Sequence, residues 1–275
     1  MASPIDGGCV VVTGASSGIG QAIAALLAHR AKKLVLVARR KDRLDALAAQ
    51  LKQKNAALEV VTYGCDLADR AATAALSERL GSEVGPIDVL VNNAGVGDLG
   101  LFERCQLDKQ LSMIDLNIVS LVQLTRAVLP GMVERGRGAI LMVSSGFGLT
   151  YLPGFAGYIG TKHFVSGFTE SLHTELAGTG VHVGQLCPGP VATEFEQHVG
   201  NFTGRKAPAI TEISAERCAE AAIGVIDRRR ALVVPHWLIK IAIWLGLRTP
   251  RTITRFFMRF AGRRVRREQL EAARP

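Results

Sequence analysis

The apolar positions of this 275-residue chain change their period along its length. Short runs rich in Val, Ile and Leu occupy 9–13 (CVVVT), 33–38 (KLVLVA), 58–63 (LEVVTY), 87–92 (IDVLVN), 139–144 (AILMVS), 182–187 (HVGQLC) and 231–235 (ALVVP). They are apolar without strict alternation, as strands covered on both faces are. Helical patterns fill 18–30, 41–54, 68–84, 108–135, 157–178 and 214–229. Strands and helices taking turns in this way predict right-handed crossovers and an α/β architecture, a doubly wound parallel sheet. No repeat or low-complexity linker interrupts it, so 1–235 reads as a single domain and 236–275 as a helical extension of different composition.

Bulk composition adds little until it is located. A hydrophobic share of 48% supports a substantial core. The five cysteines (Cys9, Cys65, Cys105, Cys187, Cys218) are scattered and odd in number, which predicts reduced thiols in a cytoplasmic setting and no disulfide framework or zinc site. The opening MASPIDGGCVVVTG lacks a signal-peptide pattern, and no apolar stretch reaches the 18 residues of a spanning helix. The net charge of +9 is concentrated: Arg228 to Arg267 holds twelve Lys or Arg and no acid, so the body is mildly acidic and the tail carries the excess.

The chemistry starts at the end of the first strand. TGASSGIG (13–20) places Gly14, Gly18 and Gly20 between a strand and a helix start. Residues without Cβ there let backbone approach a pyrophosphate, and a helix N-terminus adds unpaired N–H groups. Further on, Tyr158 and Lys162 stand four apart, on one helical face. An ammonium beside a phenol favours the phenolate and can bring the tyrosine towards the range of a general acid/base.

TGASSGIG, NNAG (92–95), Tyr158-x-x-x-Lys162 and PGPVAT (188–193), in that order and at those separations, resemble the short-chain dehydrogenase/reductase family over roughly residues 8 to 235. The resemblance implies a Rossmann-type sheet that binds a nicotinamide nucleotide. By it, Gly14, Ser16, Ser17, Gly18, Ile19 and Gly20 form the phosphate turn. Asp66 contacts adenine, Asn92, Ala94 and Gly95 line the cofactor cleft, and Pro188, Gly189, Val191 and Thr193 border the nicotinamide, with Thr193 on its carboxamide. Tyr158 donates the proton, and Lys162 tunes it and binds ribose hydroxyls. Ser145, thirteen residues before the tyrosine, polarises the carbonyl in preference to Ser144, and Asn117 holds a relay water.

The second strand ends Ala38-Arg39-Arg40, with arginines about where an NAD site carries an acid. A guanidinium grips a 2′-phosphate, so NADP(H) is the expected cofactor. The loop 146–156 offers Phe147, Leu149, Tyr151, Leu152 and Phe155, suiting a small lipophilic ketone or alcohol of steroid, retinoid or acyl type. Gly200 and Gly204 suit a mobile lid. The histidines show no ligand spacing, and no metal is expected. Homo-oligomerisation is expected. The competing class is a non-catalytic NADPH-binding regulator of the same fold, against which the intact Ser-Tyr-Lys set speaks. A nucleotide-sugar epimerase would need a different glycine spacing and a larger substrate domain.

In the tail, 237–247 (WLIKIAIWLGL) is too short to cross a bilayer. After Thr249-Pro250, a helical wheel sets Arg248, Arg251, Arg255 and Arg259 against Ile253, Phe256, Phe257 and Phe260, with Met258 the exception. A basic amphipathic helix with aromatics on its apolar face predicts peripheral membrane contact that also closes the site. The alternatives are a cover for the substrate cleft or a subunit contact. Nothing in it suggests reading nucleic acid.

Overall fold

Residues 2–195, 199 and 208–272 are described by the structure, a computed structural model. The lid glycines Gly200 and Gly204, and His198, lie outside the described residues. Among those described, seven strands form one sheet: β1 (Cys9–Thr13), β2 (Lys33–Ala38), β3 (Glu59–Gly64), β4 (Val89–Asn92), β5 (Gly138–Val143), β6 (Val181–Leu186) and β7 (Leu232–Val233). Their order is β3-β2-β1-β4-β5-β6-β7, every pairing parallel. The strands follow the seven apolar runs within one or two residues at most ends; β7, at one edge, is cut to a pair of residues against β6.

The lack of alternation in those runs has its reason in the layers. Val10, Val12, Leu34, Leu36, Val89 and Val91 face one helical layer, while Val11, Val35, Val37, Leu90 and Ile140 face the other. The first layer holds α1 (Gly18–Leu27), α2 (Lys41–Lys54) and α7 (Ala215–Asp227). The second holds α3 (Arg70–Arg79), α5 (Ser120–Glu134) and α6 (Ala156–Glu175). Alternate side chains thus meet alternate cores, and neither face can be polar.

Two helices expected to be continuous are not regular. Leu80–Val84 closes the α3 stretch as a π-turn, and Asp115–Val119 is a π-turn between α4 (Leu107–Ile114) and α5. The extra residue turns Asn117 inward. The run Leu107–Glu134 is long and apolar enough to cross a membrane, yet α5 lays Leu121, Leu124, Val128 and Met132 into the core beneath the sheet. The five cysteines are free.

The tail folds into α8 (Trp237–Arg248) and α9 (Arg251–Ala272), broken at Thr249-Pro250. It packs on the domain and does not stand apart from it. Gln269 Oε1 accepts the Leu101 N–H at 2.6 Å, Arg266 pairs with Glu103 at 2.7 Å, and Ile243 is buried. The docked stripe of α9 is Met258, Ala261, Gly262 and Val265, with Gly262 against Pro153 and Val265 against Gly154. The face that the wheel marks as apolar, Ile253, Phe256, Phe257 and Phe260, stays exposed.

Candidate functional site

Strand order reverses between β1 and β4, and the crevice beyond the carboxyl ends of a parallel sheet opens at such a point. Thr13, the last residue of β1, stitches the two diverging loops together. Its hydroxyl donates to the Val91 carbonyl at 3.2 Å and accepts the N–H groups of Asn93 and Ala94, both at 3.0 Å. Asn93 Nδ2 returns the contact to the Thr13 carbonyl at 2.9 Å.

The turn that follows fits a dinucleotide pyrophosphate. Gly14 and Gly18 adopt φ of +66° and +56°, where a side chain is strained. A Cβ on Gly14 would come within 2.8 Å of Asn93. Ser17, at the N-cap of α1, makes no side-chain cap, leaving the leading N–H groups of α1 for a ligand. Ser16, Ser17, Gly18 and Ile19 line a cleft of about 1220 Å³ that runs on past Ala38, Arg39, Arg40 and Asp66. Gly20 is not on its wall: a Cβ there would lie 2.4 Å from the Gly14 carbonyl oxygen, so it serves the close approach of helix to turn.

At the other end of the cleft stand the reactive groups. Tyr158 and Lys162 are adjacent turns of α6, both buried. Lys162 Nζ donates to the carbonyl of Val143 at 2.9 Å and lies 5.9 Å from the centre of the Tyr158 ring. Ser145 caps the short turn after β5, its Oγ accepting the Phe147 N–H at 3.1 Å, and hydrogen-bonds Tyr158. Ser144 faces elsewhere, to Ser166 Oγ at 2.9 Å and the Lys162 carbonyl. The structure therefore brings Ser145, Tyr158 and Lys162 together and leaves Ser144 to join β5 to α6.

Electrostatics in the pocket run opposite to the lowered tyrosine that i, i+4 spacing suggests. Burial pushes the Tyr158 phenol up to about 12, with the Ser145 hydrogen bond opposing it. The ring is walled by Phe147, Phe155 and Phe195 at 6.4, 6.3 and 5.8 Å between centroids. Burial also brings the Lys162 ammonium down to about 8, with the neighbouring Cys187 thiol acting the other way. Desolvation disfavours the charged form of both groups.

Four expected residues take other places. Asn92 points into the core, donating to Thr125 Oγ1 at 3.0 Å, because it is still in β4 opposite Met142; Asn93, one residue on, faces the turn. Asn117 does not line the cleft; it clamps Val96, accepting its N–H at 3.0 Å and donating to its carbonyl at 2.9 Å and to Thr161 Oγ1 at 3.0 Å. Of the loop's apolar residues, Phe147, Leu152 and Phe155 line the cleft, and Leu149 and Tyr151 do not. Ala94, Gly95, Pro188, Gly189, Val191 and Thr193 do.

Sequence reading expects the tail to close the site but does not single out the side chains that form the wall, and it misses one acid. Ile239, Ala242 and Ile243 of α8 and Phe260, Ala261, Arg264 and Val265 of α9 line the cleft, so of the wheel's apolar face Phe260 also borders it. Glu194, directly after Thr193, reaches Arg40 at 2.9 Å. His163 lies outside the cleft, its ring Nδ1 against the Ile159 carbonyl. Among the described residues no group of three or more His, Cys, Asp or Glu could hold a metal.

A parallel sheet with a glycine turn at its switch point and a Ser-Tyr-Lys cluster across the same cleft defines a nucleotide-dependent oxidoreductase site. The short chain dehydrogenase family model matches residues 8–203, and the chain belongs to the short-chain dehydrogenase/reductase family. It is 34% identical over 246 residues to the NADP-dependent 3-hydroxy acid dehydrogenase of Schizosaccharomyces pombe, covering 86% of this chain and 93% of that one. It spans only 15% of the glycine betaine reductase of Emericella nidulans and 64% of human dehydrogenase/reductase SDR family member 7, at 36% and 38% identity. Among solved structures, a short-chain dehydrogenase from Sphingobium yanoikuyae in complex with NADPH superposes with a TM-score of 0.77 at 34% identity, over 88% of this chain and 93% of that one. The bulky-bulky ketone specific alcohol dehydrogenase from Comamonas testosteroni gives 0.73 at 25% identity, over 98% and 95%.

The role of Asn117 as a brace can be measured without any ligand. Asn117→Ala strips the partners from the Val96 backbone and should cost about 1–3 kcal/mol of stability, read as a lowered denaturation midpoint. An unchanged midpoint would refute the brace.

Proposed function

We propose that this protein is an NADPH-dependent carbonyl reductase acting on lipophilic ketones, working in reverse as an alcohol dehydrogenase. The observation that carries the reading is the buried Ser145–Tyr158–Lys162 cluster facing the same cleft as the glycine turn. When bound, NADPH supplies the hydride. Ser145 Oγ holds the substrate's carbonyl oxygen, and the Tyr158 hydroxyl gives that oxygen its proton. A phenol held near 12 is protonated throughout the working range, which suits a donor. Lys162, fixed by Val143, sets a positive charge beside the tyrosinate that donation leaves behind.

Arg40, bonded to the hydroxyls of Ser16 and Ser17 at 3.2 and 3.0 Å, is the group we assign to the 2′-phosphate, with Arg39 beside it in the cleft. Buried Ala38 stands where an acid would repel that phosphate. The NADP(H)-dependent relatives support this choice. Apolar walls from Phe147, Phe155, Phe195, Ile243 and Val265 favour a lipophilic substrate over a short hydroxy acid. The bulky-ketone enzyme supports it too, since its match over 98% of the chain extends into the tail that builds the wall.

Membrane contact is the reading we attach to the outer face of the tail. Phe256 and Phe257 are 55% and 62% exposed and Trp237 and Trp244 65% and 51%, amid arginines, while a different stripe covers the cleft. Aromatics among basic groups suit an anionic lipid surface.

Three outcomes test these assignments. Tyr158→Phe should lower reductive turnover with a bulky ketone by roughly 10²–10⁴-fold while NADPH still binds; near-normal turnover would exclude the tyrosine as donor. Because the ammonium exists below its pKa and is lost above it, kcat/KM for reduction should fall as pH rises through about 8, and a profile level to pH 10 would count against Lys162 acting charged. Replacing Phe256 and Phe257 together by Ser should weaken co-sedimentation with phosphatidylserine vesicles and leave ketone turnover in solution intact; equal sedimentation of both proteins, or binding indifferent to salt and lipid charge, would dismiss the membrane reading.

A further inference from the structure

The charged cluster around Arg40 includes two groups, Glu194 and Arg43, that have no part in the chemistry above. Glu194 Oε2 accepts from Arg40 Nη1 at 2.9 Å and Oε1 from Arg43 Nη1 at 2.8 Å. Arg40 Nη2 meanwhile donates to both serine hydroxyls of the glycine turn. A carboxylate from far along the chain is thus held by two guanidinium groups beside two hydroxyls, the surroundings an anionic oxygen ligand would seek. The two arginines hold the Glu194 carboxyl below its ordinary range, Arg43 foremost, so it is charged.

We propose that Glu194 is an internal counter-anion of the 2′-phosphate subsite. It engages Arg40 in the nucleotide-free protein and yields that arginine when a 2′-phosphate arrives, while Arg43 keeps it. The inference rests on Arg40 being the 2′-phosphate ligand. Two anions compete for one guanidinium, so part of the affinity for a phosphorylated nucleotide is spent on the exchange. A nucleotide with a free 2′-hydroxyl has no phosphate to draw Arg40 away and binds with the pair intact. Glu194 thereby becomes a residue that sets cofactor selectivity, although it lies 154 positions from the arginine it holds.

The test is calorimetric titration of the full chain with adenosine 2′,5′-bisphosphate and with adenosine 5′-monophosphate, which differ only in the 2′-phosphate. Wild type, Glu194→Gln, Arg40→Gln and the double variant are compared. Glu194→Gln should tighten the bisphosphate roughly two- to fivefold, the scale of a partly exposed charge contact, and leave the monophosphate unchanged. In the Arg40→Gln background the gain should vanish. Weaker bisphosphate binding by Glu194→Gln would make the acid a support for Arg40 and overturn the proposal, as would an unchanged affinity or equal tightening of both ligands. A wild type that does not prefer the bisphosphate would instead fail the underlying assignment of Arg40, and the proposal with it.

Discussion

One hydrogen bond organises the reactive end of this molecule, the donation from the Lys162 ammonium to the carbonyl of Val143. Val143 is the last residue of β5, and the two serines that follow it complete the geometry. The bond fixes α6 against the end of that strand, which sets Tyr158, one turn earlier, opposite Ser145. Burial makes the charge expensive and the single carbonyl valuable, since a buried cation needs a partner with a full dipole. Ser144, bonded to Ser166 and the Lys162 carbonyl, reinforces the same junction from inside. Reactive groups from a strand end and a helix face become one unit because the junction between them is tight.

The same burial explains why the phenol and the ammonium shift in opposite senses and both towards neutrality. Three aromatic rings remove water from the tyrosine, and the Ser145 hydrogen bond offsets that burial only in part. A proton donor profits from this, and a base does not. In the free protein the phenol therefore stays protonated, and lowering its pKa would take additional positive charge beside it.

Much of this was legible in the sequence because it is local or fixed by counting. Fully apolar runs such as CVVVT give the strands, since a parallel strand covered on both faces has no polar side to show. The choice of Ser145 over Ser144 follows from a separation carried over by the family resemblance, and the geometry sets the two hydroxyls on different partners. What escaped is of another kind. Whether Asn92 or Asn93 faces the cleft depends on the residue at which β4 ends, and one position reverses the side chain. Glu194 meets Arg40 only through the fold. On α9 the wheel selects the largest apolar residues, whereas the face docked on Pro153 and Gly154 carries the smaller Gly262 and Val265.

The wall supplied by α8 and α9 lies beyond residue 203, where the match to the family ends. Turn, sheet and reactive groups are all complete before it in the chain. During synthesis, the nucleotide half of the cleft and the walls from Phe147 and Phe155 can assemble before α8 and α9, which complete the cleft, have emerged. Selection for a new substrate could then act on some forty residues without disturbing the inherited chemistry, much as a craftsman changes the jaw of a vice and keeps the screw.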